Sequence, residues 1–151
     1  MKLNLGCGPD IRKGFINIDV RDLPGVDVVV PVTDSLLKDL YGGHTDYVMA
    51  LDILEHLPQK EAEKALAYWV HLLKPGGTIE IQCPDVIHAA QIAYSDEWLI
   101  QLLYGGQDYP ENFHKSGFTL ATMKKLLEGM GLKIIFEDQT RSGNLHVKAV
   151  K

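Results

Sequence analysis

Short apolar runs alternate with amphipathic stretches along the chain. Residues 2–5 form a brief run that ends in Gly6-Cys7-Gly8, and residues 15–20 form a second that contains Asp19. Residues 26–30 are almost pure valine, which suits a strand buried on both faces. Residues 47–51, 78–82, 133–137 and 145–150 complete a set of strand-length runs. Helical spacing fills the gaps. Between 58 and 73, Ala62, Ala65, Leu66, Trp69, Leu72 and Leu73 recur at helical intervals, with Pro58 in the first turn and Pro75-Gly76-Gly77 as the stop. Thr119 reads as the N-cap of a helix that carries Leu120, Met123, Leu127 and Met130 on one face. Gly131 stands where a helix end favours a left-handed residue. Residues 86–104 are helix-like with a break near Ser95-Asp96, and 104–117 read as loop.

Strands alternating with helices predict an α/β fold with a mostly parallel sheet. The last two runs are joined only by residues 138–144, including Ser142-Gly143-Asn144. No crossover helix fits there, so this pair is expected to be an antiparallel hairpin. Ligands of such sheets bind beyond the carboxyl ends of the strands, where strand order reverses.

Length and composition narrow the class. The 151 residues and 16.8 kDa suit a single domain, and the expectation is one unit over residues 1–151. Hydrophobic residues make up 46% and charged residues 23%, so a packed core needs no disulfide staples. No window reaches the roughly 18 apolar residues of a membrane span, and nothing after Met1-Lys2 reads as a leader. Two cysteines exclude a disulfide framework, which points to a reducing, cytoplasmic setting. A net charge of −5 argues against a nucleic-acid partner.

The chemistry starts at Gly6-Cys7-Gly8, where glycines let the backbone turn sharply and approach a ligand. Asp19, at the end of the next run, can accept both hydroxyls of a ribose. A dinucleotide site needs a third glycine and an acid about 20 residues on. Here Asp10 takes the third position, and Asp19 follows Gly6 by only 13 residues. Further acids at strand ends, Asp34, Asp52 and Glu55, would repel a pyrophosphate. They tolerate a phosphate-free cofactor that carries a sulfonium and an ammonium group, as S-adenosylmethionine does.

Several motifs in order resemble those of class I, Rossmann-like S-adenosylmethionine-dependent methyltransferases of the small bacterial and phage type. They are Leu3-Asn4-Leu5-Gly6-Cys7-Gly8, Asp46-Tyr47-Val48 leading to Leu54-Glu55-His56-Leu57, Leu73-Lys74-Pro75-Gly76-Gly77 and Gln82-Cys83-Pro84-Asp85. The resemblance covers nearly the whole chain. It implies a three-layer α/β sandwich around a seven-stranded sheet of order 3-2-1-4-5-7-6, the last strand antiparallel. It implies S-adenosylmethionine as cofactor and S-adenosylhomocysteine as product. It implies a cofactor site drawn from Asn4, Gly6, Cys7, Gly8, Asp19, Asp34, Leu51 and Asp52. Asn4 stands where the family has an acid, and the short gap from Gly8 to Asp19 leaves the first helix reduced or lost. The family's usual N-terminal covering helices are missing from this pattern, so an open pocket is expected.

Bland roles compete at several positions. Asp34 also reads as a helix N-cap, and Glu55 and His56 read better as loop-fixing residues than as chemistry. For a general base the candidates are His114, preferred, with Asp85 and His88. Cys7 and Cys83 follow different strands and could approach each other. No Cys-x-x-Cys or His-x-x-x-His spacing occurs, so no metal is expected. The expected acceptor is a small molecule, a saccharide or a lipid-linked precursor, with oligomeric state open. A catalytically degenerate cofactor-binding module that serves as subunit or scaffold is the alternative.

Overall fold

The computed structural model describes residues 1–151. Strand β1 (Lys2–Leu5) is followed by β2 (Ile16–Asp19) and the two-residue β3 (Val28–Val29) with no helix between them. Helix α1 (Ser35–Tyr41) leads to β4 (Thr45–Leu51), and α2 (Gln59–Leu72) runs directly into β5 (Leu73–Pro84). Two short helices follow, α3 (Val86–Ile92) and α4 (Asp96–Tyr104), and then α5 (Leu120–Gly129). The hairpin of β6 (Lys133–Gln139) and β7 (Asn144–Val150) closes the chain. The sheet has seven strands in the order β3-β2-β1-β4-β5-β7-β6. All pairs are parallel except those of β7, which runs antiparallel to β5 and β6.

Local signals act where the sequence places them. The Thr119 hydroxyl accepts from Thr122 N, and the Thr122 hydroxyl accepts from Thr119 N, a reciprocal cap at the start of α5. Gly131 ends that helix at φ +83°. Ser95 caps α4 and separates it from α3, at the expected break.

The core lies on one side of the sheet. Leu3, Leu5, Ile18, Val48, Ala50, Ile79, Ile81, Val147 and Ala149 point into one cluster with Leu66 and Trp69 of α2 and Met123 and Leu127 of α5. Most alternate residues of the same strands are polar, with Met49 and Leu51 of β4 as apolar exceptions. Asn4 donates to Asn17, and Glu80 is bound by Tyr47, His146 and Lys148. That second face carries the 9–15 loop, whose Asp10 carbonyl accepts from Asn4 and whose Arg12 N–H donates to Asn17. Helices thus form a layer on one side, and a loop stands in for the third layer. The first helix is absent rather than shortened, because ten residues must both turn back and re-enter the sheet. The valine run is also corrected. It yields only β3 at the sheet edge, with Val29 45% exposed, because an edge strand has no neighbour to cover it. No helix is long and apolar enough to cross a membrane.

Candidate functional site

The site begins where β1 ends. Gly6 and Gly8 adopt φ +62° and +50°, and a Cβ on Gly6 would fall 2.4 Å from Ile53 Cγ1. Only glycine fits that turn and that approach. The turn aims Gly8 N–H at Asp19 Oδ2, 2.7 Å away. Asp19 Oδ1 accepts from Arg21 N at 2.9 Å and Arg21 Nε at 3.2 Å, so this buried carboxylate is held rigidly at the end of β2. The Arg21 guanidinium lies 4.7 Å from the centre of the Tyr109 ring, tying the 109–115 loop to β2. Across the gap, Asp52 follows β4 with φ +52° and accepts from Gln82 and Asn144. Burial raises the Asp52 carboxyl above its ordinary value, against the hydrogen bond from Gln82. Between these groups is a hollow of about 340 Å³. Gly6, Asp19, Val32, Asp52, Ile53 and His56 line it, and Tyr109 and Glu111 stand at its exposed rim. It opens above the carboxyl ends of β1 and β4, where the strand order reverses.

Beside the hollow lies a second cluster. Glu55 and His56 sit on a 3₁₀ turn (Leu54–His56), and Glu55 O accepts from Lys115 N and Ser116 N at 2.7 and 3.2 Å. That clamp brings His114 alongside, with Nε2 4.0 Å from Glu55 Oε1 and its ring 4.9 Å from that of His56. Burial raises the Glu55 carboxyl well above its ordinary value, and neighbouring Asp52 adds to this. Burial lowers both His56 and His114, which therefore favour the neutral imidazole.

No protein-family model matches the sequence, and neither does any curated protein. Solved structures do match. One is the 1,6-didemethyltoxoflavin-N1-methyltransferase of Burkholderia thailandensis, crystallised with 1,6-didemethyltoxoflavin and S-adenosylhomocysteine. It is 19% identical, with a TM-score of 0.65 over 99% of this chain and 70% of that one. A SAM-dependent methyltransferase from Archaeoglobus fulgidus is 20% identical, with a TM-score of 0.65 over 99% and 85% of the two chains. An S-adenosylmethionine-dependent methyltransferase from Mesorhizobium loti is 15% identical, with a TM-score of 0.63 over 99% and 90%. This chain has the class I, Rossmann-like methyltransferase fold.

Within that methyltransferase fold the expected residues divide. Gly6, Asp19 and Asp52 line the hollow, and Gly8 supports it through Asp19. Asn4 is buried under the 9–15 loop, on the polar face of the sheet. Cys7 is buried, and desolvation with nearby Asp19 pushes its thiol up to about 11. Asp34 caps α1 by accepting from Leu36 N, while the preceding Pro31, Val32 and Thr33 line the hollow in its place. Leu51 faces the polar side, beside Met49 and Glu80. The three candidate bases lie off the hollow. Asp85 caps α3 through Ile87 N and His88 N and also accepts from Leu120 N and Gln139, which occupies its carboxylate fully. His88 meets the Thr140 carbonyl at 3.0 Å, away from the hollow. His114 stands behind His56, its Nδ1 2.9 Å from the Leu102 carbonyl. Cys7 and Cys83 are both free. Arg21 and Ile53 are not singled out by any sequence motif, and His56, read as a loop-fixing residue, also lines the hollow. Ile53 was legible as the neighbour of Asp52, but nothing local ties Arg21 to Tyr109.

Proposed function

We propose that this protein transfers a methyl group from S-adenosylmethionine to a small-molecule acceptor. The observation that carries the reading is the Gly6–Asp19 pair. A glycine turn with no room for a Cβ and the buried carboxylate bonded to it line one hollow at the reversal of strand order. The residues present suit the cofactor. Asp19 offers a fixed acceptor for ribose hydroxyls, and its Nε contact to Arg21, the longest of its three bonds, yields first to a ligand. Asp52 places negative charge on the side that the ammonium and sulfonium would occupy. The same acids disfavour a dinucleotide's pyrophosphate.

When bound, the cofactor supplies a methyl group activated by its positive sulfur. The protein's part is alignment, holding donor and acceptor in line with water excluded. Gly6 admits the cofactor backbone closely, Val32 and Ile53 give apolar walls, and the 109–115 loop covers the mouth through Tyr109. With the cofactor in the hollow, the mouth rimmed by the 109–115 loop leaves room for a small acceptor. The Burkholderia thailandensis neighbour, which holds a small heterocycle, supports that class.

Calorimetric titration with S-adenosylhomocysteine tests the reading, with NAD as control. One-site binding of the former alone is expected. Asp19→Ala should weaken it by roughly 1.5–3 kcal/mol, the loss of hydrogen bonds to a charged acceptor. A folded protein that binds neither ligand, or an Asp19→Ala variant of unchanged affinity, would remove this assignment.

A further inference from the structure

We propose that Glu55, His56 and His114 bind one divalent transition-metal ion beside the hollow. One ligand atom from each of these residues lies within 4.8 Å of the others. Glu55 is 2% exposed, and its Oε2 has no hydrogen-bond partner. The two histidines are prepared as ligands by their backbone contacts. His114 Nδ1 is 2.9 Å from the Leu102 carbonyl, and His56 Nδ1 is 3.2 Å from the Phe113 carbonyl. A carbonyl only accepts, so each Nδ1 carries the proton and each Nε2 presents a lone pair. Metal-bound histidines are oriented in the same way, by donating their second nitrogen to a carbonyl or carboxylate.

Each of the three side chains thus brings a ligand atom to one small, largely buried space. Glu55 Oε2 has no hydrogen-bond partner, and a cation that displaces any proton held on the carboxyl would satisfy it together with the imidazole nitrogens beside it. Two imidazoles and one carboxylate suit Zn²⁺ or Mn²⁺. At bond lengths of about 2.0–2.2 Å the ligand atoms would stand roughly 3–3.5 Å apart, so binding draws the cluster inward by about 1 Å. The main-chain bonds from Lys115 and Ser116 to Glu55 hold the two segments in register for that contraction.

Three protein ligands leave a coordination position open. His56 belongs both to the cluster and to the wall of the hollow, so the ion would border the space assigned to the acceptor. An oxygen of the acceptor would take the open position. This last consequence, unlike ion binding itself, rests on the methyl-transfer reading.

The test uses the whole chain stripped with a chelator and titrated with Zn²⁺ and Mn²⁺ by calorimetry, with Co²⁺ absorption as a second readout. One ion per chain is expected. His114→Ala and His56→Ala should each weaken binding at least about tenfold. His44→Ala, at an exposed turn before β4, should leave it unchanged. Circular dichroism checks each variant for folding, and the near-isosteric Glu55→Gln replaces any alanine variant that fails. Folded wild-type protein that binds no ion overturns the proposal. So does binding that survives loss of both histidines. S-adenosylhomocysteine titrated into the same samples separates the two conclusions. Cofactor binding without metal binding removes only the metal site, and metal binding without cofactor binding removes only the methyl-transfer reading.

Discussion

The two faces of the sheet solve the same problem in opposite ways. On one face, alternate side chains are aliphatic and three helices, α1, α2 and α5, close over them, with Leu37, Trp69 and Leu127 fully buried. On the other, Asn4, Asn17, Tyr47, Glu80, His146 and Lys148 bond to one another and a loop takes the place of helices. A parallel sheet normally needs cover on both faces because its strands are apolar on both. This one does without a second helical layer because its exposed face is already satisfied by hydrogen bonds and ion pairs. The site lies at the edge between these regimes, where the strands end and backbone turns face solvent.

Substitutions on the two faces should therefore differ in cost. The largest effect is expected for Trp69→Ala. Trp69 is fully buried and donates to the Val32 carbonyl, so about 3–5 kcal/mol of stability should be lost by chemical denaturation. Because Val32 lines the hollow, cofactor affinity should fall in the same variant. Glu80→Ala, at the centre of the polar face, should cost less, about 1.5–2 kcal/mol, since water can replace the lost carboxylate for Tyr47, His146 and Lys148. An equal cost for the two variants would show that the polar face is as tightly packed as the core.

Acid should act through the same group. Burial alone would raise Glu80, but hydrogen bonds from Tyr47, His146 and Lys148 outweigh it and hold the carboxyl below its ordinary value of 4.5. A depressed folded value means stability that is present above pH 4.5 and is lost as pH falls through the folded value. Thermal unfolding followed down through that window should show a fall that is smaller in Glu80→Ala than in the wild type. Asp85 titrates nearby in the same direction and remains in both proteins. The smallest effect belongs to Lys148→Ala. Its partly exposed pair with Glu80, at 3.1 Å, should be worth about 0.2–1 kcal/mol and should shrink in salt. A larger, salt-independent loss would mean that the polar face is dry.

Much of the fold could be read from periodicity and punctuation. The caps at Thr119 and Gly131, the break at Ser95 and the reversed hairpin each depend on a few consecutive residues, and each is where the pattern placed it. The valine run misled because apolar composition cannot distinguish an edge strand from a central one. The start of β5 is hidden in the sequence because Leu73 pairs with Thr45, and a register shift intervenes before Thr78 pairs with Tyr47. At the site, Gly6, Asp19 and Asp52 were legible as strand-end residues, since a strand's length fixes where its carboxyl end falls. Asp85, directly after β5, and Asp34, in the loop between β3 and α1, carry carboxylates that went to capping helices, a choice made by the neighbouring backbone.

The sequence by itself determined the α/β alternation, the glycine turn and the two acids, Asp19 and Asp52, at the strand ends. Each follows from backbone geometry over a few residues. Only the tertiary structure decided that Glu55 and His56 meet His114, that Arg21 stacks on Tyr109 and that one sheet face stays without helices. Those contacts join residues that are distant along the chain. They form only when strand order and loop closure bring the segments together, and no local pattern encodes that distance.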